Sequence, residues 1–180
     1  MNSILPDQYA VEKQFNSRVD NFFAKYEISK KLRRCNFRKT KGFSCLEIFK
    51  FIFLLVFSGK NLYRTLQSET DSGMPQKDTI YRFLNSCRYN WRKFLLTLSS
   101  TIIKETIEPL KPHSWKNVLI LDDSLYSRNR SKAVELLARV RDHVEHKYVL
   151  GFRMLTLGWS DGNTFLPVAF SLLSSENEHN

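Results

Sequence analysis

The sequence predicts an α+β fold, with a helical region over residues 1–111 and a strand-rich region over residues 112–180. Two observations support this prediction. Apolar residues in the first region recur every three to four positions, which is typical of amphipathic helices. After the linker at residues 109–116 they form continuous or alternating runs, which are typical of strands. We therefore place a domain boundary near residue 112.

Composition indicates a globular protein with a polyanionic partner. The 180 residues are 42% hydrophobic and 13% aromatic, which is sufficient for a packed core. The 28 Lys and Arg residues exceed the 18 Asp and Glu residues, which gives a net charge of +10. Such a charge favours nucleic acid as the partner, and a generally basic protein without such a partner is the alternative.

The sequence also predicts a cytoplasmic protein with no membrane association. Its three cysteines have no CxxC spacing, which argues against a disulfide framework or a zinc site and fits a reducing compartment. The N-terminus has no apolar segment typical of a signal peptide. The apolar run at residues 48–58 is too short to span a bilayer and contains Lys50.

The N-terminal region begins with helical patterns. Residues 1–29 predict an amphipathic helix, whose apolar positions include Val11, Phe15, Val19, Phe22 and Phe23. Ser44 and Glu47 form a capping box, so a buried helix begins there and runs to about Phe57, with Gly59 ending it.

Residues 30–41 form a strongly basic segment, with seven Lys or Arg residues and no acid. One interpretation is a solvated loop. The other is a segment that contacts phosphates, because clustered cations release counterions from nucleic acid. In that second interpretation the DNA-binding residues are Lys30, Lys31, Arg33, Arg34, Arg38, Lys39 and Lys41.

The middle of the chain is compatible with a helix-turn-helix. Helices are predicted over residues 61–69 and 77–84, with a turn at 71–75, and a further amphipathic helix over 91–107. In a helix-turn-helix, Lys77 and Arg82 would face DNA, together with Thr79 and Tyr81. The alternative is an ordinary helical bundle, in which Ile80, Phe83 and Leu84 would be core residues. The helix at residues 77–84, considered by itself, slightly favours this bundle.

The strand-rich region opens with four apolar residues, 118–121, followed by Asp122, Asp123 and Ser124. Carboxylates at the end of a buried strand are costly unless a metal ion or another cation compensates them. The sequence therefore predicts a divalent-metal site. Strand alternation points the two acids to opposite faces, so one is expected to be the direct ligand. We expect the other to bond to Ser124, a backbone amide or Arg128.

The remaining segments predict a short helix over residues 133–139, strands over 148–159 and 164–172, and a hairpin turn between the strands. Pro167 favours an edge strand or a bulge. Arg128, Arg130 and Lys132 follow the acids and are expected to bind DNA phosphates, with a salt-bridged surface loop as the competing interpretation. His143 and His146 are expected to have a surface or structural role.

Residues 119–172, LILDDSLYSRNRSKAVELLARVRDHVEHKYVLGFRMLTLGWSDGNTFLPVAFSL, resemble the start of the catalytic domain of DDE-class transposases from bacterial insertion sequences. Within this class, the residues resemble most specifically the insertion-sequence-four group and its neighbours. Upstream, KGFSCLEIFKFIFLLVFSGKNLYRTL and KDTIYRFLN resemble the helical part of those proteins. The resemblance implies a ribonuclease-H-like domain, of which three strands are present, and metal-dependent cleavage and transfer of DNA at transposon ends.

In that family two Asp and one Glu hold two divalent ions, and Mg²⁺ or Mn²⁺ suits such an all-carboxylate site. The resemblance assigns the first acid to Asp122 or Asp123. It favours Asp123, because an Asp followed by Ser matches the family pattern better. The implied partners are transposon-end DNA and either a second copy of the chain or an intact transposase.

The second Asp and the Glu of the family lie far downstream of the first acid, and Asp142 and Asp161 are not convincing substitutes. We therefore expect the N-terminal portion of a transposase, which binds DNA without independent cleavage and exposes apolar strand surface that promotes association. Whether it is an enzyme stays open. The alternative is a non-catalytic DNA-binding or oligomerising remnant that interferes with an intact transposase.

Overall fold

The computed structural model describes residues 8–57, 61–68, 73–110, 112, 114–130 and 134–173. Within these residues, helices precede an antiparallel sheet of four strands, which confirms the α+β prediction. The helices are α1 (Gln8–Lys25), α2 (Ile28–Arg34), α3 (Cys45–Phe57), α4 (Leu62–Ser68), α5 (Lys77–Leu84) and α6 (Trp91–Ile102). A π-helical turn (Ile103–Ile107) and a 3-10 turn (Glu108–Leu110) follow α6. The strands are β1 (Val118–Ser127), β2 (Ala138–Arg141), β3 (Tyr148–Ser160) and β4 (Phe165–Leu173).

The chain divides into two compact units, Met1–Phe94 and Leu95–Asn180. The division falls inside α6, whereas the sequence places the boundary near residue 112. The second unit therefore contains most of α6 as well as the sheet.

Aromatic side chains form the core of the first unit. Phe37 is 2% exposed. Its ring centroid lies 4.6 Å from that of Tyr89 and 4.6 Å from that of Trp91. The Phe94 ring packs against both Phe37 and Phe49. This cluster accounts for much of the aromatic content, because such rings bury large areas in preferred tilted or edge-on pairs.

The first predicted helix is in fact two helices. Glu27 adopts a left-handed conformation with φ 48°, which ends one helical path and starts the next. Of the predicted apolar positions, Val19 and Phe23 are buried and Phe15 is exposed, and the Val11 side chain lies outside the description. The helix α2 extends into the basic segment, so the interpretation of residues 30–41 as a loop is wrong for residues 30–34.

The capping box at the start of α3 is confirmed. The Ser44 backbone N–H donates to Glu47 Oε2 at 2.7 Å, and the Glu47 N–H donates to Ser44 Oγ at 3.2 Å. The described part of the helix runs to Phe57, and the predicted stop at Gly59 lies outside the described residues. The prediction of a buried helix holds only at its beginning, because Val56 and Phe57 are 75% and 58% exposed.

The helix α5 has one buried and one exposed face. Ile80 and Phe83 are 0% and 2% exposed, as the bundle interpretation expects, whereas Leu84 is 41% exposed. Lys77 and Arg82 lie on the exposed surface, as the helix-turn-helix interpretation expects. Residues 69–72, which include the start of the predicted turn, lie outside the described residues, so both interpretations remain predictions.

The strand β3 is the centre of the sheet. It pairs antiparallel with β1 along one edge and with β2 and β4 along the other. The predicted helix over residues 133–139 is wrong for all of its described part, because residues 134–137 are not helical and Ala138 and Arg139 begin β2. The pairing of β2 with residues 148–151 explains the difference, since a non-local ladder can override local helix propensity.

The hairpin and the bulge predicted around β4 are confirmed. Asp161 Oδ1 accepts hydrogen bonds from the backbone N–H of Asn163 at 3.0 Å and of Thr164 at 2.7 Å, which closes the turn between β3 and β4. The β3–β4 register shifts between Leu157 and Gly158, next to the partner position of Pro167. Pro167 thus lies at an irregularity of an edge strand, where its missing N–H costs no ladder bond.

One face of the sheet carries the core of the second unit. Trp159 and Val168 are buried together with Ile103, and Leu157, Leu166 and Ile107 pack against them. Ser99 Oγ in α6 donates to the Pro167 carbonyl at 2.8 Å. Among the described helices, none has the length and apolar character needed to cross a bilayer.

Candidate functional site: the acids of the first strand

The two acids of β1 point to opposite faces of the sheet. Asp122 lies across from Thr156 and Asp123 across from Leu155 in the antiparallel ladder. Asp123 therefore points to the same face of the sheet as Trp159, which lies four residues after Leu155 on β3. This face carries the core of the second unit. The alternation predicted from the sequence is present in the strand. The prediction of a buried strand that ends at the acids is wrong, because residues 118–121 are 40–69% exposed and β1 continues to Ser127.

Asp123 lies in a polar cluster built from three segments. Its Oδ2 forms an ion pair with Nη1 of Arg153 on β3. Nη2 of Arg153 donates to the Arg141 carbonyl on β2 at 2.8 Å. Nε2 of His143, in the turn after β2, lies 3.3 Å from both terminal nitrogens of Arg153. The guanidinium thus compensates the charge of Asp123, which is 47% exposed.

Sequence analysis did not identify Arg153. The available signal was a lone cation in the apolar run YVLGFRMLTLGW, where a charge needs a partner. His143, for which a surface or structural role is expected, is exposed and contacts this arginine.

Asp122 has a different environment on the opposite face. The Ser124 hydroxyl donates to its Oδ2 at 3.1 Å, and both groups are solvent-accessible. A bond to Ser124 is one of the alternatives that the sequence offers for the acid that does not bind metal. The other named alternative, Arg128, donates its Nη1 to the Ser127 carbonyl at 3.4 Å.

Metal ions prefer ligand sets that these residues do not complete. Across the described part of the chain, no three His, Cys, Asp or Glu side chains come together in a way that could hold an ion. Asp122 and Ser124 offer the oxygen ligands that Mg²⁺ prefers, but too few of them. Asp123 is bound to a guanidinium instead. By themselves, the described residues therefore do not fit a two-metal centre.

The other acids considered for the site stabilise turns. Asp142 Oδ1 accepts the backbone N–H groups of Val144 at 2.8 Å and Glu145 at 3.1 Å. These two hydrogen bonds, first that from Glu145, lower the pKa of Asp142. Asp161 closes the β3–β4 hairpin, as described above. Both carboxylates thus already accept hydrogen bonds from backbone N–H groups.

Some cations of the basic segment at residues 30–41 are exposed, and others are bound to groups within the protein. Arg33, Arg34, Arg38, Lys39 and Lys41 are exposed. Lys31 is 6% exposed, and its Nζ donates to the Tyr26 carbonyl at 2.8 Å, so it does not present its charge to a surface ligand. Lys30 pairs with Glu27 at 3.0 Å, and this pair lowers the pKa of Glu27.

The remaining predicted DNA-binding residues lie in separate places. On α5, Lys77 Nζ lies 5.9 Å from the ring centroid of Tyr81, and Arg82 is exposed. Arg128 and Arg130 are exposed just after β1, where the Arg128 N–H donates to the Leu150 carbonyl at 2.7 Å. Lys132 lies outside the described residues.

The fold and the site together define a structural class. The chain is an α+β protein whose antiparallel sheet begins with a strand that carries two acids. Residues 53–179 match the family model described as DDE superfamily endonuclease. The chain belongs to this family, whose members act on DNA and generally use divalent metal ions. The match runs from within α3 through all four strands, and α1 and α2 precede it. Searches of curated proteins and of solved structures found no match.

Proposed function

We propose that this chain is a transposase-type protein of the insertion-sequence-four group that binds transposon-end DNA. The supporting observation is the position of Asp122 and Asp123 on the first strand of the sheet, inside the region that matches the endonuclease family. The antiparallel order β1–β3–β4 also agrees with the opening strands of a ribonuclease-H-like domain.

The acids of β1 are proposed to supply the first ligand for Mg²⁺ or Mn²⁺. The family resemblance favours Asp123, for whose carboxylate the ion would compete with the Arg153 guanidinium on the neighbouring strand. Asp122, whose carboxylate accepts the Ser124 hydroxyl, is the alternative ligand. Because the described residues do not gather a full ligand set, we expect no strand cleavage by the chain alone.

DNA binding is proposed to rest on exposed cations. The net charge of +10 and the exposed cations of residues 33–41, α5 and the segment after β1 favour phosphate contacts. If the chain contacts several phosphates, the logarithm of its DNA affinity falls linearly with the logarithm of salt concentration, by about 0.9 per phosphate. A slope near zero would contradict the binding proposal.

The test is a nicking and strand-transfer assay on DNA ends of the flanking element, with Mg²⁺ or Mn²⁺, alongside a binding titration. Wild type is compared with the double variant Asp122→Ala/Asp123→Ala and with each single variant. We expect salt-dependent binding without cleavage, as for a non-catalytic DNA-binding protein. Cleavage that the double variant loses would show a complete site, formed within the chain or between protomers. Absence of DNA binding would overturn the proposed function.

A further inference from the structure

A pocket of about 360 Å³ lies between α2 and the beginning of α3, and we call it the α2–α3 pocket. Its lining includes the cationic side chains of Arg33, Arg38 and Lys39. The hydroxyl-bearing Ser29 and Ser44 also line it. These residues precede the part of the chain that matches the endonuclease family.

The charge of the pocket favours an anion. Three cations line it, and none of its described lining residues is acidic. The nearby carboxylate of Glu47 is already bound to the start of α3, because its oxygen accepts the Ser44 N–H. That hydrogen bond, and more weakly the charge of Lys39, lower the pKa of Glu47. The three cations thus outnumber the one acid beside them.

The first turn of α3 contributes to the same pocket. Ser44, Cys45 and Leu46 all line it, and they form the N-terminal end of a helix of 13 residues. N–H groups of a first helical turn have no carbonyl partner within the helix, and the helix dipole adds partial positive charge there. The capping box occupies the N–H groups of Ser44 and Glu47, so the backbone contribution to the pocket comes from the N–H groups of Cys45 and Leu46, which the box does not use.

The walls of the pocket are firmly packed. Leu32 and Phe37 are 1% and 2% exposed, and both line the pocket. The Tyr89 hydroxyl donates to the Arg38 carbonyl at 3.4 Å and contacts Cys45 Sγ at 3.6 Å. Burial, followed by the contact with Cys45, raises the pKa of Tyr89 to about 12. The Tyr89 hydroxyl thus links the backbone at Arg38 to Cys45 at the start of α3.

We propose that the α2–α3 pocket binds one phosphate group of a nucleic-acid backbone. Guanidinium groups and helix N-termini are suited to phosphate, because both direct N–H donors at its oxygens. A backbone phosphate is favoured over a free one, because the lining cations belong to the basic segment of residues 30–41, whose exposed Arg34 and Lys41 add positive charge close by in sequence. This inference rests on the proposed function and assigns it a specific contact outside the family region.

The experiment compares two double variants that remove the same charge. Arg33→Gln/Lys39→Gln removes two cations of the pocket, and Arg34→Gln/Lys41→Gln removes two exposed neighbours that do not line it. Binding to duplex DNA is measured from low to moderate salt. The ¹⁵N amide signals of Ser44, Cys45 and Leu46 are followed in wild type and in both variants during titration with duplex DNA or inorganic phosphate.

We expect duplex DNA to shift these amide signals in wild type and in Arg34→Gln/Lys41→Gln, but not in Arg33→Gln/Lys39→Gln. The pocket variant should also lose more affinity and about one unit of salt slope. Equal binding by both variants, or unmoved amide signals in a wild type that binds DNA, would overturn the pocket alone. Shifts with inorganic phosphate but not with DNA would overturn the nucleic-acid assignment. A wild type without DNA binding would overturn the proposed function itself.

Discussion

Two glycines of β3 lie where neighbouring groups leave no room for a side chain. A Cβ atom at Gly151 would lie 2.3 Å from the Tyr126 carbonyl oxygen on β1. A Cβ atom at Gly158 would lie 2.1 Å from the ring of Phe165, which is 52% exposed. The first obstacle is backbone within the sheet, whereas the second is a ring that can rotate into solvent.

We therefore expect Gly151→Ala to lower the free energy of unfolding more than Gly158→Ala does. Overpacking of this kind typically costs about 1–3 kcal/mol, and Gly151→Ala should reach that range because β1 must shift. Urea unfolding of both variants measures the difference. Equal costs, or a larger cost for Gly158→Ala, would contradict the close approach of β1 to Gly151.

Arg153 allows the two candidate metal ligands to be distinguished. Its guanidinium and a divalent cation would compete for the same carboxylate of Asp123. If Asp123 is the ligand, Arg153→Met should tighten Mn²⁺ binding, measured by electron paramagnetic resonance, and Asp123→Asn should cancel the gain. The stability cost of Arg153→Met should stay below about 1 kcal/mol, because the pair is partly solvated. Unchanged Mn²⁺ affinity in Arg153→Met, together with its loss in Asp122→Asn, would assign the ion to Asp122.

Among the elements, α3 depends on its first turn for a defined start. Ser44→Ala removes the acceptor of the Glu47 N–H and should cost about 0.5–2 kcal/mol of unfolding free energy. Ser17→Ala, at an exposed position within α1, is the control and should be neutral or slightly stabilising, because Ala has the higher helix propensity. Chemical denaturation at neutral pH measures both costs. Equal stability of the two variants would show that the cap does not contribute.

The same cap predicts how stability depends on pH. The Ser44 N–H lowers the pKa of Glu47 in the folded state below its ordinary value. The contribution is therefore complete above the unfolded pKa and is lost as the pH falls through the folded pKa. The stability difference between wild type and Glu47→Gln should accordingly shrink on acidification below about pH 4. A difference that grows on acidification would contradict this direction.

The elements predicted correctly are those that depend on local chemistry. The Ser44 and Glu47 cap, the turn at Asp161 and the bulge at Pro167 each follow from residues close together in sequence. The elements missed depend on distant contacts. The strand β2 exists because it pairs with β3, and the ion pair of Asp123 with Arg153 joins two strands far apart in sequence. Periodicity within one segment carries no signal for either.

At the scale of the whole molecule, the sheet exposes a large amount of apolar surface. On the β1 face that carries Asp123, Leu119 and Leu121 are 69% and 64% exposed. Phe165 and Phe170 of β4 are 52% and 41% exposed. The sequence predicts exposed strand surface, and these values confirm it among the described residues. The register places these two phenylalanines on the face opposite Asp123, so apolar side chains are exposed on both faces of the sheet, where they promote association between molecules.

We expect the chain to self-associate with increasing concentration, and Leu119→Lys/Leu121→Lys to weaken that association. The control is Leu110→Lys/Val144→Lys, which adds the same charge at positions that are 81% and 88% exposed but outside the strands. Sedimentation equilibrium at fixed salt measures both variants. If charge repulsion alone governs association, the two variants will behave alike, because each raises the net charge equally. A selective effect of the β1 variant would instead assign association to the apolar sheet surface, where added lysines oppose contact between strands of different molecules.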